Sequence, residues 1–166
     1  MRYNTVVSRQ PSGQDPNHAL HQSLASFRRQ LRKFLLVSET AANDAGLHSQ
    51  QHQLLLAVAG VPAGRSPSIA YAAEALGLKH NTVVELVDRC AQEGLLERMT
   101  DPADRRRVCL RTTARGQKVL NRLSQAHLQE LSLRGPMLIE SLQSVLRTET
   151  QGLPATSRRQ EHMRKL

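Results

Sequence analysis

The feature that most constrains the fold is a change of hydrophobic period near Gly94. Before it, apolar residues recur every three or four positions, which is the spacing of amphipathic helices. After it, the short runs "LLERMT" and "RVCLRT" alternate or carry β-branched residues, and the turn-forming stretch "DPADR" separates them. The pattern therefore predicts a β-hairpin inside a chain that is otherwise helical.

Two short helices are predicted immediately before this hairpin. Ser68 is a favourable N-cap for the first, "SIAYAAEALGL", and Gly77 ends it. The second, "HNTVVELVDRCAQEG", stops at Gly94 and places these apolar residues on one face: Val83, Leu86, Val87, Cys90 and Ala91. Two short helices joined by a tight turn, the second of them amphipathic, form the layout of a helix-turn-helix.

Longer helices are predicted on both sides of this motif. Apolar residues recur at helical spacing over residues 17–46, and "HSQQHQLLLAVAG" predicts a second helix. After the hairpin, Thr113 is expected to cap a helix that the pair Gly135–Pro136 ends. The apolar stripe of that helix is predicted to contain Val119, Leu120, Leu123, Ala126, His127 and Leu131. A last helix is predicted from Met137, Leu138, Leu142, Val145 and Leu146.

The charge balance points to an anionic partner. The 166 residues include 23 Lys and Arg against 14 Asp and Glu, which is a formal net charge of +9. Such an excess favours nucleic acid, an anionic membrane surface or an acidic protein. The longest apolar run starts with residues 54–58 and is far shorter than the roughly 20 residues that a membrane span needs. The polar N-terminus also has no signal-peptide core, so we expect no membrane partner and a cytoplasmic protein.

The sequence has no pattern typical of an enzyme. A glycine-rich phosphate loop, a nucleophile elbow and a spaced carboxylate pair are all missing, so neither catalysis nor a cofactor is expected. His48 and His52 have a spacing compatible with metal ligation, but two ligands do not make a site, and no metal is predicted. Cys90 lies on the packed face of its helix, where a thiol is usually inert. The exposure of Cys109 is ambiguous from its strand position.

The segments "SIAYAAEALGL", "NTVVELVDRCAQEGLLER", "DPADRRRV" and "TARG", in this order and spacing, resemble the MarR family of transcriptional regulators. The resemblance covers about two-thirds of the chain, from "GLHSQQHQLLLAV" to "TARGQKVL". It implies a mainly α-helical winged helix-turn-helix protein with a small β-hairpin wing. It also implies a homodimer built by the first and last helices. The chain departs from the family at Thr112, where Leu is usual, and at His52, where an aromatic residue is often found.

The resemblance and the periodicity together predict the domain organisation. A mobile N-terminal arm is expected over residues 1–16 and a basic C-terminal tail over residues 151–166. Residues 17–46 and 114–150 are expected to form the helical dimerisation region. Residues 47–113 are expected to form the winged helix-turn-helix DNA-binding domain.

The second motif helix, residues 80–93, is expected to lie in the major groove of DNA. Its N-terminal turn enters deepest, which favours His80, Asn81 and Thr82, and an asparagine can pair bidentately with adenine. Glu85 either accepts a hydrogen bond from a cytosine amino group or pairs with Arg89 four residues on. The candidates for phosphate contacts are Lys79, Arg65 and Ser68, the last of which stands at a helix N-terminus.

The hairpin, residues 100–108, is expected to reach the adjacent minor groove, whose negative potential attracts arginine. The Asp-x-Arg element of the MarR wing maps onto Asp104 and Arg106. The resemblance implies that Asp104 positions the turn and that Arg106 enters the groove. Arg105 and Arg107 flank it and are predicted to meet phosphates or the acidic residues of the hairpin itself.

The resulting hypothesis is a homodimeric repressor that binds a pseudopalindromic operator and is released by a small-molecule effector. By analogy with the family, the candidates for the wall of the effector cleft are Phe27, Leu31, Phe34, His52 and Leu55. The alternative hypothesis is a helical dimer that acts as a protein-interaction module without sequence-specific DNA binding. Binding to DNA at moderate salt distinguishes the two.

Overall fold

The computed structural model of the protein describes residues 17–100 and 108–152. Its elements are α1 (His18–Asp44), α2 (Ser49–Ala59), α3 (Ile69–Leu76), α4 (His80–Gln92), β1 (Leu96–Thr100), β2 (Val108–Thr112) and α5 (Ala114–Gly152). The predicted first two helices, helix-turn-helix and hairpin are therefore confirmed. The predicted N-terminal arm and nearly all of the predicted tail lie outside the described residues. Within the described ranges, no helix is long and apolar enough to cross a membrane.

The described residues belong to two compact units. The terminal unit comprises residues 17–32 and 135–152, and the central unit comprises residues 33–100 and 108–134. In the terminal unit, Ser23 Oγ lies 3.0 Å from Ser144 Oγ and 3.4 Å from Thr148 Oγ1. These hydroxyl contacts join the first half of α1 to the end of α5.

The core of the central unit is almost entirely aliphatic. This follows from the composition, since aromatic residues make up only 2% of the chain. The predicted apolar face of α4 is confirmed, because Val83, Leu86, Val87 and Cys90 are all buried. The remaining buried apolar residues are Ala42, Leu47, Leu54, Leu55, Val58, Ala72, Leu95, Leu96, Leu110, Leu120 and Leu123.

Local signals in the sequence define the ends of α3. The Ser68 hydroxyl accepts a hydrogen bond from the Tyr71 N–H at 3.1 Å, which is the expected N-cap. Gly77 ends the helix in the left-handed conformation with φ +65°, a region that residues with a Cβ rarely adopt. The short connection that follows leads directly into α4.

The hairpin is antiparallel and closely tied to the segment before α3. Its register pairs Leu96 with Thr112 at the base and Thr100 with Val108 at the last described pair. The Leu110 N–H also donates to the Pro67 carbonyl at 2.7 Å, and Ser68 forms a bridge with Cys109. The start of α3 and the wing are therefore held to each other by backbone hydrogen bonds.

Thr113 and Gly116 join the base of the hairpin to α5. The Thr113 hydroxyl donates to the Gly94 carbonyl at 2.6 Å and accepts from the Gly116 N–H at 3.0 Å, which confirms Thr113 as the cap. A Cβ on Gly116 would stand 2.0 Å from the Leu95 carbonyl oxygen, far inside van der Waals contact. Only glycine allows α5 to start this close to the end of α4.

The predicted helix break at Gly135–Pro136 is wrong, because α5 continues as one helix through Pro136. The steric conflict between a proline ring and the residue before it involves that residue's Cβ, which Gly135 lacks. Pro136 still removes one backbone hydrogen bond and crowds the carbonyl four residues before it, so the helix continues at a local cost. Leu131, predicted to lie on the buried stripe, is instead 41% exposed.

Large apolar side chains remain exposed on α1 and α5. They are Leu24, Leu31, Leu35 and Leu36 on α1, and Leu128, Leu131, Leu133, Met137, Ile139, Leu142 and Leu146 on α5. A concentration of exposed leucines of this kind on two long helices is typical of a surface that another protein chain covers.

Replacing Gly116 by alanine is expected to lower the free energy of unfolding by about 1–3 kcal/mol, since the added methyl group has to displace the backbone at Leu95. Urea unfolding followed by circular dichroism measures this change. Arg115→Ala, at the exposed neighbouring position, is the control and should change stability by less than about 0.5 kcal/mol. Wild-type stability in the Gly116→Ala variant would contradict the close approach.

Candidate nucleic-acid interface

The exposed face of α4 is polar along its whole length. His80, Asn81, Glu85 and Arg89 are exposed, and Thr82 is half-buried in the first turn. The opposite face carries the buried residues of the core, so the helix cannot turn this polar face inward without exposing apolar surface. The side chains predicted to contact DNA bases are thus brought to one accessible surface.

One ion pair joins the hairpin to α4, and a second joins the two strands of the hairpin. Arg98 on β1 forms a salt bridge with Asp88 on α4, and Arg111 Nε on β2 lies 2.6 Å from Glu97 Oε1 on β1. Both pairs are exposed, and such pairs contribute little to stability, so their main effect is on geometry. The sequence has no signal for the link between Asp88 and Arg98, because they lie on different elements.

A groove of about 620 Å³ connects the start of α3, the start of α4 and the wing. Its lining includes Ser68, His80 and Val108, which come from these three elements. Ser68 and His80 were predicted separately as DNA contacts, and the groove places them on one surface. Lys79, the N-cap residue of α4, is exposed next to His80.

Arg65, Tyr71 and Glu74 form a charged cluster in the same groove. Two nitrogens of the Arg65 guanidinium contact the two carboxylate oxygens of Glu74, at 3.2 and 2.6 Å. The guanidinium carbon also lies 4.7 Å from the centre of the Tyr71 ring. The hydrogen bond from Arg65 lowers the pKa of Glu74, and the same bond raises the pKa of Arg65. Arg65 is therefore held in one orientation at the groove.

The predicted pairing of Glu85 with Arg89 is not observed. Within residues 17–100 and 108–152, no salt bridge joins these two side chains, although both are exposed on α4. At full exposure, the attraction between charges four residues apart amounts to only a few tenths of a kcal/mol. Both side chains are thus available to a partner.

The tip of the wing is outside the described part of the chain. Residues 101–107 include four of the predicted DNA contacts, which are Asp104, Arg105, Arg106 and Arg107. The structure defines the two points that bound this segment, because Thr100 and Val108 are paired across the hairpin.

Comparison with known proteins gives a similarity to one family over part of the chain. The sequence profile of the MarR family matches residues 45–107, which span α2, α3, α4 and β1. This segment of the chain is therefore similar to the MarR family.

One relative to which this chain is similar is a putative transcriptional regulatory protein for the hcr operon of Thauera aromatica. It is 27% identical over 126 residues, which are 72% of this chain and 74% of the relative.

Two solved structures show the same fold. The PcaV transcriptional regulator of Streptomyces coelicolor, in complex with its natural ligand, is 26% identical. It superposes with a TM-score of 0.54 over 78% of this chain and 90% of its own. A mutant MarR from E. coli in complex with operator DNA is 15% identical, with a TM-score of 0.59 over 85% of this chain and all of its own.

The residues predicted for the effector cleft are divided between the two units. Phe27 is half-buried and Leu31 is exposed in the terminal unit. In the central unit, Leu55 is buried in the core, while His52 and Phe34 both contact His127 on α5. The sequence predicted His127 as a member of an apolar stripe, and its contact with His52 is seen only in the structure.

The histidine positions do not converge on a metal site. His48 is exposed at the start of α2 and His52 is buried, so the two do not share one accessible face. His18 and His21 are exposed on α1. Among the described residues, no group of three or more histidine, cysteine, aspartate or glutamate side chains is placed to hold a metal ion.

Cys90 is expected to resist alkylation in the folded protein. Burial raises the pKa of its thiol to about 11, and the nearby Glu93 carboxylate adds to the rise. At a pH of about 8, only about one thiol in a thousand is then ionised, and the thiolate is the reactive form. Iodoacetamide labelling followed by mass spectrometry in a Cys109→Ser variant tests this. Labelling as fast in the folded as in the urea-unfolded protein would contradict the prediction.

Proposed function

We propose that this protein is a transcriptional regulator, not an enzyme, which binds specific double-stranded DNA in the cytoplasm and acts as a repressor. The observation that carries the proposal is the exposed polar face of α4 beside the groove lined by Ser68 and Val108. The net charge of +9 supports a polyanionic partner. The similarity in fold to a MarR protein solved with operator DNA supports the same function.

In this proposal α4 lies in the major groove with its N-terminal turn deepest. His80, Asn81 and Thr82 then face base edges, with Asn81 as the residue suited to adenine. Ser68 and Lys79 stand at the N-termini of α3 and α4, where backbone N–H groups favour phosphates. Glu85 accepts a hydrogen bond from a cytosine amino group. Arg89, one turn after Glu85 on α4, faces the DNA backbone.

The wing lies in the adjacent minor groove. The seven residues between the paired Thr100 and Val108 carry three consecutive arginines. In the proposal Arg106 enters the groove, where the potential is most negative. Asp104 positions the turn, and Arg105 and Arg107 contact the flanking phosphates.

The acting form is proposed to be a homodimer. The exposed leucines of α1 and α5 supply the surface that a second copy covers. Two copies related by a twofold axis place their α4 helices about 34 Å apart along the DNA, so the operator is a pseudopalindrome. The relation to PcaV, solved with its natural ligand, supports release by a small-molecule effector. The proposed site of this effector includes Phe27, Leu31, Phe34, His52 and Leu55.

Arg106→Ala is expected to weaken binding to DNA by about 1–3 kcal/mol, because it removes a cation from a site of strong negative potential. Fluorescence anisotropy with the DNA fragment upstream of the gene measures this loss. Arg122→Ala, which removes the same charge from an exposed position on α5, is the matched control. Equal weakening by both substitutions would contradict the wing assignment. If the wild type does not bind DNA at moderate salt, the protein-interaction alternative is favoured instead.

Asn81→Ala is expected to change sequence preference more than overall affinity. A bidentate contact to adenine contributes about 1–3 kcal/mol of discrimination at one base position, and its removal should leave non-specific binding unchanged. Selection from a randomised DNA library compares the preferred sequences of wild type and variant. A uniform loss of affinity for all sequences would place Asn81 on the phosphate backbone and contradict the proposed orientation of α4.

A further inference from the structure

Two histidines meet in the interior of the central unit. His52 on α2 is 3% exposed, and its ring centre lies 4.8 Å from that of His127 on α5, with the planes inclined by 49°. Phe34 on α1 packs against His127 with ring centres 6.1 Å apart. The imidazole pair therefore stands where α1, α2 and α5 meet.

Neither imidazole has its Nε2 atom satisfied by the protein. Both Nε2 atoms are buried and have no hydrogen-bond partner among the described residues. A neutral imidazole can leave one nitrogen as an unpaired acceptor, whereas an imidazolium buries an N–H donor and a positive charge. Burying the imidazolium costs much more free energy than burying the neutral ring, because a buried charge needs a partner.

Among the described residues, no salt bridge joins a carboxylate to either imidazole. On α5, Glu130 is one turn from His127, but its Oε1 atom lies 2.9 Å from Arg134 Nε. Lys33, which precedes Phe34 on α1, and His48, at the N-cap of α2, are both exposed. Burial lowers the pKa of His52 below its usual 6.5, and the charge of His127 lowers it further. Burial also lowers the pKa of His127.

The position of α2 affects α4 directly. Gln51, which precedes His52, is 1% exposed, and its Nε2 donates to Glu93 Oε1 at 2.9 Å. Glu93 is the C-cap residue of α4. Leu54 and Leu55 of α2 belong to the same buried core as the apolar face of α4. A displacement of α2 from α5 therefore changes the support of the proposed DNA-reading helix.

We propose that the His52–His127 pair is a proton-operated switch for DNA binding. When both imidazoles are neutral, α2 packs against α5 and α4 is held in its binding position. When protons bind, two positive charges less than 5 Å apart repel each other in the core, α2 separates from α5, and DNA is released. This regulation rests on the proposed function as a DNA-binding regulator.

The direction of the pH dependence follows from the sign of the shifts. Because the folded state disfavours protonated imidazole, the contribution of the pair to stability is complete above a pH of about 6.5 and is lost as pH falls below it. For each proton that the protein takes up when it releases DNA, its affinity for DNA falls by up to about tenfold per unit decrease in pH.

The test measures DNA affinity by anisotropy at pH values of about 7.5 and 5.5, a window in which histidine titrates. Wild type should bind about tenfold more weakly at the lower pH. His52→Phe and His127→Phe, which cannot protonate, should lose this weakening. His48→Gln, an exposed change at the N-cap of α2, should keep it. The same weakening in His52→Phe and His127→Phe as in wild type would overturn the proposal, and so would its absence in wild type.

A second measurement uses the wild-type protein without DNA. It tests the proposal even if the phenylalanine variants do not fold. Nuclear magnetic resonance of the wild-type imidazoles should show both His52 and His127 titrating below 6.5. Titration of either at or above that value would overturn the switch even if DNA binding is normal. If the imidazoles titrate as expected but no DNA binds at any pH, the proposed function fails instead. The two failures are thus distinguished by separate readings.

Discussion

The contact between Gly116 and the Leu95 carbonyl is the constraint on which the rest of the central unit depends. It brings the end of α4, the base of the hairpin and the start of α5 to one point, and Thr113 ties them with bonds to Gly94 and Gly116. Because β2 leads directly into this corner, the corner sets the register of β2 with β1. That register in turn sets the position at which the wing leaves the sheet. A side chain at position 116 would move all three elements at once.

From this corner the proposed DNA-facing surface is assembled by short links. The bond from Leu110 to Pro67 fastens the wing to the start of α3, and the Arg98–Asp88 pair fastens it to α4. Each link contributes little free energy, but together they leave α3, α4 and the hairpin few ways to move separately. A protein that recognises DNA through two grooves needs this rigidity, since the geometry between helix and wing has to match the spacing of the grooves.

The interior of the central unit has two different kinds of buried polar residue. Gln51 is fully hydrogen-bonded, to the His48 backbone and to Glu93, and so stabilises the contact of α2 with α4. His52, its neighbour, has a buried nitrogen without a partner. A satisfied polar group makes a fold rigid, whereas an unsatisfied titratable group makes it sensitive to conditions. Adjacent positions on one helix thus combine rigidity with responsiveness.

Local chemistry by itself determined the helix-turn-helix, the hairpin and the caps. Ser68, Gly77 and Thr113 act through neighbours within a few residues, so their roles were evident from the sequence. The polar face of α4 was equally evident, because helical periodicity separates Asn81 from the buried Val83. The Gly135–Pro136 pair misled the prediction because glycine removes the clash that normally ends a helix before proline.

Only the tertiary structure decided which distant residues meet. His52 and His127 are separated by 75 positions, as their numbers show, and Asp88 and Arg98 lie on different elements, so no periodic pattern relates either pair. Leu131 has the spacing of a core residue, yet the core ends before it on α5. Periodicity specifies which face of a helix is apolar, but packing against other elements determines how far along the helix that face is covered.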